Sequence, residues 1–325
     1  MVEILLATYN GERFLPEQLE SILAQSFEDF KISASDDGSS DSTFEILRSY
    51  ENVLNDRMKS VSSNSHSAVE NFYNLLDRAD SDYICLCDQD DYWDRDKLKK
   101  NLEAVKSFEK EYGKDMPVLI HSDLEIVDEN LGHIGRMRDV NGIKAFLKNA
   151  KKSEYVEELY IINEKENFSR LLAENNITGN TVIFNRALLK LYKRPKVSFM
   201  HDWWLGLIAY TFGKVGYIDS ELVKYRQHEN NELGAVKPTL NLKERLEAKE
   251  RVRKNYNAMF AQAKEFLRLY KDEAKDSEDK IFAFKTVYAF AAMKNKNRIS
   301  KIRDIFRYGF VKSSLILTIG EMLNI

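Results

Sequence analysis

The run Cys87-Asp88-Gln89-Asp90-Asp91-Tyr92-Trp93 sets three carboxylates directly behind an apolar stretch, Tyr83 to Cys87. Five apolar residues without alternation suit a strand buried on both faces of a parallel sheet. Carboxylates this close at a strand end repel one another unless a cation shares them. Oxygen ligands favour a hard ion, so Asp88, Asp90 and Asp91 are read as functional, with Asp90 and Asp91 holding Mg2+ or Mn2+. Acids also open helices, and Asp94 and Asp96 lead into Leu98, Leu102 and Val105. For that pair, capping is the preferred reading.

Two further clusters carry chemistry. In Phe199-Met200-His201-Asp202-Trp203-Trp204-Leu205 an acid sits where polar sequence turns apolar. Apolar surroundings tune a carboxylate toward proton transfer, which makes Asp202 a candidate base, although the same acid would also cap a helix over Trp203 to Ile208 with the tryptophans as core. In Tyr225-Arg226-Gln227-His228-Glu229-Asn230-Asn231, which opens a polar loop ending at Gly234, a neutral His228 is a reasonable third ligand for Mn2+. Arg226 suits a diphosphate oxygen. His66 and His133 have no such context and read as surface residues.

These clusters need elements to hold them, and the chain supplies alternating strand and helix patterns from its first residues. Ile4 to Ala7 is strand-like and gives way to Thr8-Tyr9-Asn10-Gly11, and a helix starts near Pro16 with Leu19, Ile22 and Leu23 on one face. Phe30 to Ser35 predicts a second strand ending in Asp36-Asp37-Gly38-Ser39-Ser40-Asp41, and helices with Phe44 and Leu47, then Val69, Phe72 and Leu76, precede the Tyr83 strand. In an open α/β sheet the carboxyl ends of strands form the ligand crevice, so three polar tips converge on one ligand. Asp-Gly-Ser alone is ordinary turn chemistry. Neither a G-x-G-x-x-G nor a Walker lysine motif occurs, so a diphosphate here leans on metal.

Composition bounds the rest. The chain has 325 residues, 43% hydrophobic and 31% charged, enough for a globular core plus one appended region. A formal net charge of -3 argues against a general nucleic-acid binder. Cys85 and Cys87 are the two cysteines, and their spacing within a strand puts both on one face as small apolar residues. No secretory leader or spanning segment is read at the amino terminus or beyond, and a reducing cytosol is the default compartment.

Ala7-Thr8-Tyr9-Asn10-Gly11, Asp36-Asp37-Gly38-Ser39-Ser40-Asp41 and Cys87 to Trp93 stand in an order that resembles the family 2 inverting glycosyltransferases of the GT-A fold, nearest to bacterial rhamnosyltransferases. The resemblance covers roughly residues 1 to 235. It implies an α/β fold with a mostly parallel central sheet, a nucleotide-sugar part over 1–125, an acceptor part over 126–238, and a helical region over 239–325. It also implies roles for this chain's residues. Thr8 and Tyr9 line the base pocket, with Asn10 and Gln89 beside them. Asp36 or Asp37 receives the base N-H, Asp88 approaches the ribose, Arg226 the diphosphate, and Asp90 the metal.

Inverting transfer needs one carboxylate to take the acceptor hydroxyl proton as that oxygen attacks the anomeric carbon, and Asp202 stands in the family's type of base motif. His121-Ser122-Asp123, Thr178 to Arg186 with Asn180, and His201, Trp203 and Trp204 look like acceptor-side elements. Gly179 and Asn185-Arg186 read equally as turn and helix entry. Residues 137 to 176 look like an insertion over the acceptor cleft. By analogy the donor is dTDP-rhamnose first, a UDP-sugar second, and the acceptor a glycan or polyprenyl-linked glycan of the bacterial surface.

From Leu240 the pattern turns helical. Residues 281 to 325 carry eight Lys or Arg and two acids. With Ile302, Ile305, Phe306, Phe310, Leu315 and Leu317, that mixture fits an interfacial helix on an anionic inner membrane face, or packing on the catalytic part or a second subunit. The competing readings are a catalytically idle nucleotide-sugar-binding subunit and Mg2+-dependent phosphoryl transfer; the acidic motifs lack the Asp-x-Asp-x-Thr arrangement the latter uses.

Overall fold

The structure is a computed structural model that describes residues 1–140, 143–148, 150–163, 165–228, 242–273, 277–312 and 314–322. Glu229-Asn230-Asn231, Gly234, Leu240 and the expected boundary after 238 lie outside the described residues, as does the side chain of Leu317. The strands are β1 (Val2–Thr8), β2 (Phe30–Asp36), β3 (Met58–Ser62), β4 (Tyr83–Cys87), β5 (Tyr92–Trp93), β6 (Val118–Val127), β7 (His133–Arg136), β8 (Lys151–Lys152), β9 (Leu159–Ile161), β10 (Ile183–Asn185) and β11 (Lys214–Arg226). The helices are α1 (Leu15–Leu23), α2 (Thr43–Leu54), α3 (Ala68–Leu76), α4 (Lys97–Tyr112), α5 (Met137–Val140), α6 (Ile143–Leu147), α7 (Lys165–Ala173), α8 (Arg186–Leu191), α9 (His201–Phe212), α10 (Leu242–Tyr270), α11 (Glu278–Ala292), α12 (Arg298–Tyr308) and α13 (Leu315–Met322).

One mixed sheet runs β3-β2-β1-β4-β10-β6-β11-β9-β8, with β5 paired to β11 and β7 to β6. The first four strands are mutually parallel, as apolar runs joined by amphipathic helices require, and their carboxyl ends share one edge. Strand β10 enters antiparallel between β4 and β6, pairing Ile183 with Cys85 and with Ile120. Its reversed direction puts its start at the carboxyl end of β4, so the residues just before it reach the same edge as the acidic run.

Alternation along β4 splits the core in two. Cys85 and Cys87 are free and pack with Ile4, Leu19 and Val105 on one side, while Ile84 and Leu86 face Phe72 and the helices beyond on the other. Leu15, Leu19 and Ile22 form the buried stripe of α1, and Ser67 caps α3 by accepting from Glu70 N at 3.4 Å. Residues 137 to 176, expected as an insertion over the acceptor cleft, are built into the fold, and Asn175 just after α7 donates to Asp202 at 3.1 Å. Strand β9 extends the sheet beside β11, and α7 buries Phe168, Leu171 and Leu172 in the core.

The carboxyl-terminal helices bear on the two readings of the tail, membrane contact and packing on the catalytic part. Ile305 and Phe310 are fully buried, and Phe310 meets Phe290 edge-on at 5.1 Å in the core that holds Trp204 and Phe266. Burial lowers the Lys301 ammonium below its usual range, Lys296 pairs with Asp304, and Lys312 pairs with Glu321 at 2.6 Å. Of the six apolar residues read as membrane contact or as packing, Ile305 and Phe310 are therefore internal packing, while Phe306 and Leu315 stay exposed. Among the described residues no helix is long and apolar enough to cross a membrane. Phe310→Ala should cost about 3–5 kcal/mol as a cavity in a closed core, read as a lower urea midpoint at unchanged slope. A loosely attached tail would leave that midpoint where it was.

Candidate active site

A cavity of about 420 Å³ opens at the carboxyl edge of the sheet. Thr8 and Tyr9 from the tip of β1, Asp37 from β2, Asp88, Gln89 and Asp90 from β4, Gly179 ahead of β10, and His201 and Asp202 from the first turn of α9 all line it. The three tips meet because parallel strands end together, and the last group joins because β10 runs the other way.

On the β1–β2 side the polar groups are held by one another. Thr8 donates to Asp36 Oδ1 at 2.9 Å, and Ser39 N and Oγ donate to the same carboxylate. Asp36 is thereby spent beneath the cavity wall, and of the Asp36-Asp37 pair only Asp37 lines the cavity. Burial opposes ionisation of Asp37, but bonds from Ser65, Ser67 and Ser63 outweigh it and hold the carboxyl below its usual range. Asn10 sits at φ 47°, and its Oδ1 accepts from Ser40 N at 2.8 Å; it shapes the loop and does not line the cavity.

The acidic run divides. Asp90 lines the cavity, with His228 Nε2 at 2.8 Å from its Oδ2. Asp91 turns inward, fully buried, accepting from Asn180 Nδ2 and, at 3.2 Å, from Arg226 N. Burial, and then the charges of Asp90 and Asp88, push its carboxyl well above the usual range. The expectation that Asp91 ligates metal is corrected, since a group facing the protein interior cannot reach an ion in the cavity. Arg226 is corrected too. Its guanidinium donates to the carbonyls of Asp90 and Glu129 and pairs with Glu17, so it ties loops together under the site. Asp94 and Asp96 begin α4 as expected, although Asp96 caps with backbone geometry and accepts from Ser26 Oγ instead of from its own helix.

The far wall belongs to α9. Asp202 is 5% exposed and accepts from Trp203 N, Gly179 N and Asn175 Nδ2. Burial raises its carboxyl to about 7, with those bonds offsetting part of the effect. It lies one residue inside the helix and is not its cap, which is Met200. His201 stacks on Phe72 at 3.9 Å, and burial lowers its imidazole to about 3, so it is neutral. Trp203 and Trp204 do not reach the cavity: their indoles donate to Leu171 O and Lys193 O within the core. Asp123 is likewise internal, paired with Arg136 at 2.9 Å, and Asn180 is buried behind Asp91. The acceptor roles read for these four residues give way to structural ones.

Sequence reasoning missed Asn175, Asn71 and His66. Asn71 Nδ2 donates to Ser35 O at 2.8 Å and lines the cavity, and His66, exposed at φ 51°, lines it as well instead of standing apart. The Ser67-to-Glu70 capping spacing marked where α3 begins and was the available signal for this wall.

A family model described as Glycosyl transferase family 2 matches residues 3–114. An uncharacterized glycosyltransferase of Haemophilus influenzae is 32% identical over 61% of this chain and 67% of its own. The chain belongs to glycosyl transferase family 2. The dTDP-rhamnosyl transferase RfbG of Shigella flexneri is 29% identical over 71% of this family 2 chain and 74% of its own. Among solved structures, S. aureus TarS 1-349 in complex with UDP-GlcNAc superposes with a TM-score of 0.59 at 17% identity, covering 94% of this chain and 80% of that one. The mannosyltransferase PcManGT from Pyrobaculum calidifontis, in complex with GDP-Man and Mn2+, gives 0.50 at 16% identity, covering 99% and 85%. The fold is GT-A-like, and the chain is a glycosyltransferase.

Asp90 and Asp91 should separate in a thermal melt. Asp91→Ala leaves Asn180 and Arg226 N without an acceptor, costing about 1–3 kcal/mol, whereas Asp90→Ala at the cavity surface should change the melting temperature little. Equal shifts would refute the inward orientation of Asp91.

Proposed function

We propose that this chain is an inverting glycosyltransferase that moves a sugar, rhamnose first and a UDP-hexose second, to a hydroxyl of a bacterial surface glycan, free or carried on a polyprenyl lipid. The observation that carries the reading is one buried carboxylate, Asp202, titrating at about 7 on the wall of the cavity that the β1, β2 and β4 tips also line. A base with that setting is half ionised near neutrality, where proton transfer is most efficient. The rhamnose preference rests on the similarity to RfbG, a dTDP-rhamnosyl transferase.

In this reading Thr8, Tyr9 and Asp37 hold the nucleoside and Asp88 the ribose. Asp202 takes the acceptor hydroxyl proton as that oxygen bonds to the anomeric carbon, and the nucleoside diphosphate leaves from the opposite face with the bonding pair. His201, neutral and without a hydrogen-bonding partner on either nitrogen among the described residues, is available to an acceptor or donor hydroxyl beside the base. Asp90 and His228 fit a divalent ion: a carboxylate oxygen on the cavity wall and the imidazole nitrogen that touches it make a donor set suited to Mn2+ or Mg2+. Such an ion supplies charge that stabilises the departing diphosphate.

The division into a catalytic part over 1–238 and a helical region over 239–325 is kept as part of the proposal. So is reversible contact of the basic tail with an anionic bilayer that carries the acceptor, its apolar part now limited to Phe306 and Leu315, which stay exposed, with Ile299 and Ile316 beside them. Binding of the full chain to anionic liposomes at low salt, lost on Phe306→Glu, would support that contact; indifference to liposomes would remove it.

Asp202→Asn keeps the shape, so nucleotide-sugar affinity should persist while kcat falls by about 10²–10⁴. Wild-type kcat should climb as Asp202 ionises and level off above pH about 7, because the protonated carboxyl is idle as a base. Near-normal turnover by the Asn variant would sink the assignment. A thermal-shift panel of dTDP-, UDP- and GDP-sugars with Mn2+ reads the donor: stabilisation by the dTDP class alone is expected, and none by any nucleotide would overturn the function.

A further inference from the structure

Four consecutive amides between β1 and α1 donate to side chains from elsewhere in the chain. Tyr9 N reaches Gln89 Oε1 at 2.8 Å, Asn10 N reaches Ser39 Oγ at 2.8 Å, Gly11 N reaches Thr43 Oγ1 at 2.7 Å, and Glu12 N reaches Asp41 Oδ2 at 3.1 Å. Three acceptors belong to the segment after β2. The fourth is the middle residue of the acidic run, and it bonds twice, because Gln89 Nε2 donates to Tyr9 O at 2.9 Å. One carboxamide therefore occupies both the donor and the acceptor of the Tyr9 main chain, as a neighbouring strand would.

Gly11 belongs to the same arrangement. A Cβ there would overlap the Gln89 carboxamide, and the Gly11 backbone is not in the left-handed region, so alanine would displace that carboxamide without straining the backbone. The exposed Tyr9 ring lines the cavity, and so do Asp88 and Asp90 on either side of Gln89; in the functional reading above these are the nucleoside, ribose and metal-diphosphate positions.

We propose that Gln89 is a positioning residue: its carboxamide is spent on Tyr9, and it fastens the nucleoside wall to the carboxylate loop so that both ends of a nucleoside diphosphate meet one rigid unit. This replaces the direct donor contact that the sequence suggested for Gln89, and it rests on the functional reading above. Binding to a preassembled unit avoids ordering two loops at once, and a variant that separates them should lose affinity with little change in the chemical step.

The test measures dTDP and UDP binding to the full-length protein by calorimetry with Mn2+ present. Gln89→Ala should weaken the bound nucleotide about tenfold, the effect of one or two solvent-competed hydrogen bonds. Gly11→Ala, which evicts the same carboxamide, should do likewise, and the double variant should be no weaker than either single one. At saturating donor, kcat should stay within about twofold of wild type. Unchanged binding by Gln89→Ala, or losses that multiply to about a hundredfold in the double variant, would overturn the proposal. Amide exchange without nucleotide is an independent readout: residues 9–12 should exchange faster in both single variants, and unchanged exchange would overturn the proposal as well. If wild type binds neither nucleotide, the functional reading falls and this proposal with it. Wild-type binding with indifferent variants sinks this proposal alone.

Discussion

The active-site edge depends on the direction of one short strand. A parallel sheet aligns the ends of β1, β2 and β4, but it cannot by itself bring residues from later in the chain to those ends without another crossover. Antiparallel entry of β10 solves this: its first residue pairs near the end of β4, and Gly179 just before it lies beside Asp202. There the spacing is tight, for a Cβ at Gly179 would come to 2.9 Å from His201 Nε2. Both the burial of Asp202 and the hydrogen bond from Gly179 N follow from that approach.

Burial is what separates the carboxylates into roles. Asp37, ringed by serine donors, is held ionised. Asp202, where burial outweighs the bonds from Trp203, Gly179 and Asn175, is raised to about 7. Asp91 is turned wholly inward, where Asn180 and the Arg226 amide answer it. Residues of one chemical type thus become an ionised carboxylate on the cavity wall, a carboxyl poised near neutrality and a structural tie, because hydrogen-bond supply and burial differ over a few ångströms.

The carboxyl-terminal helices belong to the same energetic unit as the catalytic wall. Phe266 and Tyr270 pack on Trp204, two residues after Asp202, and Lys196 N and Phe199 N donate to Glu265 and Gln262 of α10. The loop that leads into α9 is therefore anchored by the helical region, which gives that region a part in holding Asp202 whatever its outer face meets.

The sequence by itself determined the parallel half of the fold and the three polar tips. Apolar runs such as Tyr83 to Cys87 admit little but a buried strand, and the residues that follow a buried strand must emerge at its end. It also marked Asp202 and the Asp90–His228 pair, because acids and an imidazole at apolar borders are costly unless used or partnered. Only the tertiary structure decided which neighbours face the ligand. Asp90 and Asp91 are adjacent, yet one lines the cavity and the other is core. Trp203, Trp204, Asp123 and Arg226 satisfy the same motifs while serving the interior. Side-chain direction at a strand end or helix start depends on partners tens to hundreds of residues away, among them Asn180 for Asp91 and Glu17 for Arg226, and such pairings leave no period or spacing in the local sequence.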